Sequence, residues 1–199
     1  MKTKIISIDF QKDFASPDGI CYRPRESVNF VKTTLIPYLL EKNIKIAEII
    51  SDYRQPRLGD RGDCCKPGDK GYESEIPDEV KDDNVWIKCM NSPIWVRDNI
   101  GDKDKTPGLP HQDPEAFDTW LVEVVGDPKD TQIILIGLTL DCCVLCAAQE
   151  LDFRGYTVKI LKEAVDTYFG DQDEKEDICD VLVRNWADVI SWEEVKKLL

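Results

Sequence analysis

Short apolar segments alternate with segments of helical periodicity along almost the whole chain, and this alternation constrains the fold more than any other feature. The apolar segments are bounded by polar residues, which is typical of strands that are buried on both faces of a parallel sheet. We therefore predict an α/β fold: a single-domain, three-layer, doubly wound structure with a six-stranded, mostly parallel sheet and helices on both faces. The predicted strands are residues 5–10, 46–51, 85–89, 133–138, 158–161 and 189–192.

The segments between these strands predict helices and two long loops. Ser27 can cap a helix over residues 27–42, in which Pro37 should introduce a kink because proline cannot continue the backbone hydrogen bonding. Pro114 suits the first turn of a second helix, and further helices are predicted over residues 141–153 and 173–184. Residues 53–84 and 101–113 show no sustained periodicity and predict loops, which at this length are often functional.

No internal repeat, low-complexity tract or linker divides the chain, so we expect residues 1–199 to form one domain.

The order of the strands predicts where a ligand binds. If the strand order is 3-2-1-4-5-6, it reverses between strands one and four, and ligands bind beyond the carboxyl ends of those strands. Asp9 ends the first strand and Cys143 follows the fourth, so the two residues flank the predicted binding position.

The charge of the chain argues against several classes of partner. The 39 acidic and 26 basic residues give a formal net charge of −13, whereas binding to nucleic acid or anionic lipid requires a basic surface. No apolar run approaches the roughly 20 residues that span a membrane, and the N-terminal segment lacks the features of a secretory signal. We expect a cytoplasmic protein with a small-molecule substrate, a homo-oligomeric assembly, and 8 cysteines that remain thiols.

Cys143 is a candidate nucleophile because it lies where a predicted strand gives way to a predicted helix. At a helix N-terminus, unpaired backbone N–H groups and the helix dipole stabilise a thiolate and lower the pKa of the thiol. The same N–H groups can bind the oxyanion of an acyl-transfer intermediate. A free cysteine is also commonly a small buried apolar residue, so this segment alone leaves both interpretations open.

Asp9 and Lys88 are candidate partners of this thiol. A carboxylate at the end of the first strand could act as a general base, although aspartate also caps turns. Lys88 interrupts an otherwise apolar strand, where it either pairs with a buried carboxylate or reaches solvent from a strand at the sheet edge. In the assumed strand order Lys88 is two strands from Asp9, about 10 Å across the sheet, so the two side chains can meet.

Four segments taken together match a known pattern. They are DFQKDF at residues 9–14, Lys88 followed by Asn91-Ser92, GLTLDCCV at residues 137–144 and RGYTVKILKEAVD at residues 154–166. In this order and spacing the chain resembles the isochorismatase-like cysteine hydrolases, the superfamily that includes nicotinamidase and N-carbamoylsarcosine amidohydrolase. The resemblance spans most of the chain and places Asp9, Lys88 and Cys143 at the positions of the family's catalytic residues.

The resemblance implies an amidohydrolase that acts on C–N bonds other than peptide bonds. Asp9 takes the proton of the thiol, and Cys143 attacks a carbonyl carbon to form a thioester that water then hydrolyses. Lys88 holds Asp9 in place and stabilises charge. The resemblance also implies a cis peptide bond between Leu138 and Thr139, and an oxyanion hole formed by the backbone N–H groups of Thr139 and Cys143.

The chain departs from the nicotinamidases at their metal site. Those enzymes bind a divalent metal through an Asp-x-His segment and a later histidine, whereas here Asp52 is followed by Arg54 and the later position falls at Cys64. The only histidine, His111, lies in the second long loop, where we expect it at the surface. We therefore expect no metal, and a substrate other than nicotinamide. Asp52, Cys64 and Cys65 could hold a soft metal only as three ligands without histidine support.

Arg54 and Phe14 are candidate substrate-binding residues. Arg54 could bind a carboxylate of the substrate through two hydrogen bonds, or it could form a salt bridge with Asp52 or another acid of its loop. Phe14 closes the first motif and could stack on a substrate or belong to the core. The RGD triplet at residues 61–63 is interpreted as a chance match.

Three other functions remain open at this point. Cys143 and Cys146 form a C-x-x-C segment after a strand, as in thiol-disulfide redox proteins, although Asp9 and Lys88 then have no role. Positions three apart share a helix face, so Cys146 could simply pack. The chain could also be a non-catalytic binding protein that retains the fold, or an isochorismatase, which cleaves a vinyl ether and needs no nucleophilic cysteine.

Overall fold

Residues 1–59 and 62–199 are described by a computed structural model, in which six strands form one parallel sheet. In chain order they are β1 (Lys2–Ile8), β2 (Ala47–Ser51), β3 (Trp86–Lys88), β6 (Thr131–Leu138), β7 (Thr157–Asp166) and β8 (Asp188–Ile190). Their order across the sheet is β3-β2-β1-β6-β7-β8, and every pairing is parallel. The predicted α/β class and the predicted order 3-2-1-4-5-6 are confirmed, since β6, β7 and β8 are the fourth to sixth predicted strands.

Two features of the sheets differ from the prediction. β7 continues to Asp166, beyond the predicted end at residue 161, because Lys162 and Glu163 interrupt the apolar run while pairing with β6 resumes at Val165 after a register shift. The loops after β3 contain a small antiparallel pair, β4 (Trp95–Val96) and β5 (His111–Gln112), which is too short to produce a periodic sequence pattern. His111 is exposed on β5, as expected.

The helices follow the predicted positions, with local irregularities. The predicted helix over residues 27–42 consists of α2, a π-helical turn and α3, and Pro37 is the second residue of α3. An irregular π-helical turn thus precedes Pro37 in place of a simple kink, since proline cannot donate a backbone N–H. Asp113 caps α4 and Asp171 caps α6 by accepting backbone N–H groups. The helices are α1 (Lys12–Ala15), α2 (Glu26–Phe30), α3 (Ile36–Lys42), α4 (Pro114–Trp120), α5 (Leu145–Phe153), α6 (Gln172–Val181) and α7 (Trp192–Leu198), with π-helical turns at Val31–Leu35, Leu121–Val125 and Leu140–Val144 and 3₁₀ turns at Lys70–Tyr72, Asp78–Val80 and Val183–Asn185.

The two central strands, β1 and β6, form the apolar centre of the molecule. Ile6, Ile8, Leu135 and Ile136 are fully buried, and each such side chain stabilises the fold by about 1.5–3 kcal/mol. Three buried charged side chains, by contrast, lie at or just beyond the carboxyl ends of strands: Asp9 after β1, Asp52 after β2 and Lys88 at the end of β3. Within the described residues, no helix is long and apolar enough to cross a membrane.

Gly137 allows β1 and β6 to approach each other next to these charged residues. Its φ angle is +113°, in the region that favours glycine, and a Cβ atom there would lie 2.1 Å from the carbonyl oxygen of Ile8. Gly137 is paired directly with Ile8, the residue before Asp9. The sequence GLTL, which begins at the end of the fourth strand, therefore places the segment that leads to Cys143 next to the segment that contains Asp9.

Glu48 makes the stability of the fold depend on pH. Burial raises the pKa of this carboxyl group from 4.5 to about 6, and this effect exceeds the opposing effects of its hydrogen bond with Ser74 and of the Lys81 ammonium. Because the folded pKa is higher than the unfolded one, the folded chain holds the proton more tightly. The charged form of Glu48 therefore lowers stability above about pH 6, and the loss disappears below about pH 4.5.

We expect Glu48→Gln to raise the free energy of unfolding by about 2 kcal/mol at pH 8 and to change it little at pH 4.5, as measured by urea denaturation. Glu79→Gln, which removes the same charge from an exposed position, is the matched control and should have little effect at either pH. Destabilisation at pH 8 would instead show that the interaction of the Glu48 carboxylate with Lys81 outweighs the cost of burial.

Candidate active site

Three strand ends bring Asp9, Lys88 and Cys143 together. Asp9 follows β1, Lys88 is the last residue of β3, and Cys143 lies in the π-helical turn after β6. Lys88 Nζ donates a hydrogen bond to Asp9 Oδ2 at 2.8 Å and lies 3.5 Å from Cys143 Sγ. The Asp9 carboxylate is close enough to the Cys143 thiol to raise the pKa of that thiol. The exposed fractions of Asp9, Lys88 and Cys143 are 0%, 1% and 5%, so this cluster is shielded from bulk water.

Ser51 and Tyr53 complete the cluster, and the sequence analysis missed both. Lys88 Nζ donates to Ser51 Oγ and to Tyr53 Oη, each at 2.7 Å, so its three protons are directed at Asp9, Ser51 and Tyr53. Ser51 Oγ donates in turn to Asp9 Oδ1 at 2.8 Å. Tyr53 Oη lies 3.2 Å from Cys143 Sγ. The signal that could have identified them is position, because β2 lies between the strands that carry Asp9 and Lys88.

Gln11 fixes the position of Ser51. Its side-chain Nε2 donates to the Ser51 carbonyl oxygen at 3.0 Å, and its Oε1 accepts the Ser51 N–H at 2.8 Å. The same Nε2 also donates to the carbonyl oxygen of Tyr72 at 2.9 Å. The DFQ segment of the first motif therefore supplies both a carboxylate and a buried amide that anchors the end of β2.

Lys88 remains an ammonium despite its burial. Burial lowers the pKa of Lys88, but Asp9 and Cys143 raise it by more, so the net shift is upward. Tyr53 stays neutral because burial raises the pKa of its hydroxyl group well above the usual value. Since Lys88 donates to Tyr53 Oη, the proton of that hydroxyl group is available to the sulfur of Cys143.

Cys143 is a protonated thiol in the resting protein. Burial raises its pKa, and the Asp9 carboxylate adds to this, whereas the Lys88 ammonium and the Tyr53 hydroxyl lower it by less. The prediction that the start of a helix would lower the pKa of this thiol is therefore wrong for the resting state, because burial has the larger effect. A reaction that needs the thiolate requires a base, and Asp9 is the carboxylate that acts on the pKa of this thiol and shares the Lys88 ammonium with it.

A pocket of about 360 Å³ opens onto Cys143. Tyr53, Asn91 and Thr139 line it near the thiol, and Asn91 Oδ1 lies 3.8 Å from Cys143 Sγ. Phe14 lines the pocket as well, so the residue predicted to stack on a substrate is placed where it can do so.

Arg25 supports the aromatic side of this pocket, which Phe14, Tyr168 and Phe169 form. The buried guanidinium group of Arg25 donates to the carbonyl oxygens of Phe14 at 2.9 Å, Thr167 at 3.0 Å and Tyr168 at 2.6 Å. Tyr168 and Phe169 are in edge-to-face contact, with ring centroids 5.1 Å apart. One buried cation thus ties together two segments that are distant in sequence, and the pocket has a wall suited to a flat group.

Thr139 begins the turn that carries Cys143. The peptide bond between Leu138 and Thr139 is cis, and the Thr139 carbonyl oxygen accepts the N–H groups of Cys142 and Val144, each at 3.1 Å. Thr139 and Cys143 both line the pocket. An oxyanion hole formed by their backbone N–H groups is compatible with this placement and stays a prediction.

Arg54 forms a salt bridge with Asp52, which was one of the two roles considered for this residue. Its Nε and Nη2 donate to the two carboxylate oxygens of Asp52 at 2.8 and 2.6 Å. The remaining N–H groups donate to backbone carbonyl oxygens of Asn99, Asp102 and Lys105. All five donors of the guanidinium group are used within the protein, and Arg54 is not among the residues that line the pocket. The structure thus corrects the prediction that Arg54 binds the substrate.

The residues at the expected metal position do not fit a metal ion. Asp52 is fully buried and accepts hydrogen bonds from Arg54 and from the Gly101 N–H, so a guanidinium group already neutralises it. The pKa values of the Cys64 and Cys65 thiols are both raised, that of Cys65 by burial, which opposes the deprotonation that a metal ligand requires. Residues 1–59 and 62–199 contain no group of three or more His, Cys, Asp or Glu side chains that could hold a metal ion.

The other sequence signals lie away from the thiol cluster. Cys146 is on α5, one turn beyond Cys143, and does not line the pocket. Burial raises the pKa of its thiol. Arg61, the first residue of the RGD triplet, lies outside the described residues.

The comparisons with known proteins agree with the predicted resemblance at the level of the fold. No protein-family model and no curated protein sequence matches the chain. Among solved structures, N-carbamoylsarcosine amidase from Thermoplasma acidophilum is similar, with a TM-score of 0.63 and 21% identity over 96% of each chain. Pyrazinamidase of Pyrococcus horikoshii in complex with zinc has a TM-score of 0.67 and 15% identity, over 96% of this chain and 100% of that one. Nicotinamidase from Bacillus subtilis has a TM-score of 0.60 and 18% identity, over 95% and 99% of the two chains. These are proteins of the superfamily that the motifs indicated, and the chain has their fold.

Proposed function

We propose that this protein is a cysteine hydrolase that cleaves a C–N bond, in an amide or ureido group, of a small molecule. The observation that carries the proposal is the buried Lys88 ammonium, which donates a hydrogen bond to the Asp9 carboxylate at 2.8 Å and lies 3.5 Å from Cys143 Sγ, at the base of a pocket. Solved structures with the same fold include an N-carbamoylsarcosine amidase and nicotinamidases, and this supports the same class of reaction.

In the first half of the reaction, Cys143 becomes acylated. Asp9 takes the thiol proton as Cys143 Sγ attacks the carbonyl carbon, and a tetrahedral oxyanion forms. The backbone N–H groups of Thr139 and Cys143 stabilise this oxyanion. The C–N bond then breaks, the leaving nitrogen takes the proton from Asp9, and ammonia or an amine departs from the thioester.

In the second half, water hydrolyses the thioester. Asp9, which is again a carboxylate, takes a proton from the water as its oxygen attacks the same carbonyl carbon. The C–S bond breaks, and the proton returns from Asp9 to the sulfur of Cys143. The products are the carboxylic acid and the free enzyme, with one water consumed and no change in oxidation state.

Lys88 and Tyr53 stabilise the charge that moves between Asp9 and Cys143. When the proton passes to Asp9, the negative charge moves to the sulfur, and both the Lys88 ammonium and the Tyr53 hydroxyl lower the pKa of that sulfur. Lys88 keeps its positive charge throughout because its pKa is raised. In this proposal Lys88 positions Asp9 and balances charge, and it does not itself transfer a proton.

Ammonia release from a panel of aliphatic and aromatic amides, ureido acids and nicotinamide tests the proposal. We expect at least one amide or ureido class to release ammonia, and added hydroxylamine to trap the acyl group as a hydroxamate. Trapping separates thioester chemistry from vinyl ether cleavage and from redox chemistry at Cys143 and Cys146. A chain that binds members of the panel and releases no ammonia would instead be a non-catalytic binding protein.

Metal removal should leave the proposed activity unchanged. The reason is the donor set at the expected metal position, where Arg54 already neutralises Asp52 and the cysteine thiols contact one another. We expect protein dialysed against a chelator to keep its full kcat in the ammonia assay. Loss of activity on dialysis, with recovery on adding zinc in a 1:1 ratio to the protein, would contradict this prediction.

A further inference from the structure

Arg57 lines the pocket and stacks on the ring of Tyr53. Its guanidinium carbon is 4.1 Å from the centroid of the Tyr53 ring, which is a close cation–π contact. The hydroxyl end of the same ring lies 3.2 Å from Cys143 Sγ. Arg57 also lines the pocket that opens onto Cys143. Its guanidinium group and the thiol are therefore separated by one aromatic ring, and both face the same space.

The hydrogen-bonding capacity of Arg57 is largely unused. Its Nε atom is buried and has no hydrogen-bond partner among the described residues, and its Nη2 donates to the Gly62 carbonyl oxygen at a long 3.4 Å. Arg54, three residues earlier, uses all five of its donors within the protein. A buried donor without an acceptor is costly, so a ligand that supplies an acceptor gains affinity by satisfying it.

The charges around the pocket favour an anion at this point. Arg57 is the only basic residue among the described residues that line the pocket. The acidic residue there, Asp141, has one carboxylate oxygen engaged with the Tyr168 N–H at 3.0 Å. With a net charge of −13, the chain as a whole repels anions, so an anionic substrate requires a local cation.

We propose that Arg57 binds a carboxylate of the substrate, so that the site favours amides whose acyl part carries a negative charge a few bonds from the scissile carbonyl group. This inference rests on the proposed hydrolase function of Cys143. A guanidinium group binds a carboxylate through two parallel hydrogen bonds, and here its flat face is already held by Tyr53. The aromatic wall formed by Phe14, Tyr168 and Phe169 then accommodates a planar group between the two ends of the substrate.

A matched pair of aromatic amides tests this specificity. 4-Carbamoylbenzoate carries a carboxylate opposite the amide, and 4-acetylbenzamide has a neutral group of similar shape at that position. We expect Arg57→Ala to lower the ratio of kcat/KM for the charged over the neutral amide by about ten- to a hundredfold, mainly through KM. Arg57→Lys should restore only part of the ratio, because an ammonium group cannot make the planar pair of hydrogen bonds.

Arg184→Ala is the matched control, since it removes the same charge from an exposed residue that does not line this pocket, and it should leave the ratio unchanged. Equal losses for both amides in Arg57→Ala would overturn the inference and assign Arg57 to support of Tyr53. Calorimetric titration of Cys143→Ala with 4-carbamoylbenzoate separates the inference from the proposed function. Binding that is lost when Arg57→Ala is added supports the inference even if neither amide is hydrolysed. Binding that is absent, or unaffected by Arg57→Ala, overturns it.

Discussion

We expect Cys143→Ala to abolish the proposed amide hydrolysis, with kcat reduced by at least about a thousandfold, and to leave the protein folded. No thioester can form without the sulfur, and the oxyanion hole and pocket alone provide only residual rate enhancement. The side chain of Cys143 is small and makes no covalent bond in the structure, so its loss should cost no more than about 1 kcal/mol of stability. Ammonia release measures the first effect and thermal unfolding the second.

Cys146→Ser is the control for this result. Cys146 lies one helical turn away, and it is a free thiol like Cys143 that does not line the pocket. We expect its serine variant to retain most of the activity. If Cys146→Ser abolished the activity as completely as Cys143→Ala, the two cysteines would act as a pair, and the thiol-disulfide hypothesis would replace the hydrolase.

Asp9→Asn should remove activity and also destabilise the fold. Asparagine cannot accept the thiol proton, so we expect kcat to fall by at least about a hundredfold. The Lys88 ammonium would then remain buried without its carboxylate, and breaking a buried ion pair in this way costs about 3–5 kcal/mol. Asparagine is the suitable replacement because residue 9 has a φ angle of +49°, a conformation that asparagine tolerates better than most residues.

The double variant Asp9→Asn/Lys88→Met separates the two effects. Removing the buried charge as well should recover much of the stability while activity stays absent, as measured by urea denaturation and ammonia release. Asp82→Asn breaks the partly exposed ion pair with Lys4 and is the comparison, with an expected cost of up to about 1 kcal/mol. If Asp9→Asn left both stability and kcat unchanged, the ion pair would have no part in the site.

The main sheet could be predicted because each of its strands has a recognisable local pattern in the sequence. Residues 133–138 and 5–10 are apolar runs bounded by polar residues, and a parallel sheet buries such runs on both faces. A two-residue strand such as Trp95–Val96 is too short to show the apolar pattern by which strands are recognised. β7 extends beyond its predicted end because its last residues mix charged and apolar side chains, which hides the strand pattern although these residues remain part of the strand.

The site could be predicted in part, because the carboxyl ends of parallel strands meet at one edge of the sheet. That rule, with the motif resemblance, was enough to select Asp9, Lys88 and Cys143 as a group. Ser51 and Tyr53 belong to the same edge, but serine and tyrosine are so common at strand ends that nothing in the sequence distinguished them. Ser51 and Tyr53 matter because the Lys88 ammonium donates hydrogen bonds to them as well as to Asp9, and these contacts form only in the folded protein.

The sequence by itself determined the parallel α/β architecture and, for an assumed strand order, the residues that meet where that order reverses. Only the tertiary structure decided which arginine faces the pocket and whether Cys143 is charged at rest. Arg54 and Arg57 are three residues apart in one loop that shows no sustained periodicity, so the sequence does not indicate which side chain faces the pocket. Arg54 is neutralised by Asp52, whereas Arg57 lies over the ring of Tyr53 and has a buried N–H without an acceptor among the described residues. The physical reason is that hydrogen-bond partners and burial are properties of the folded neighbourhood, whereas periodicity and composition are properties of the chain.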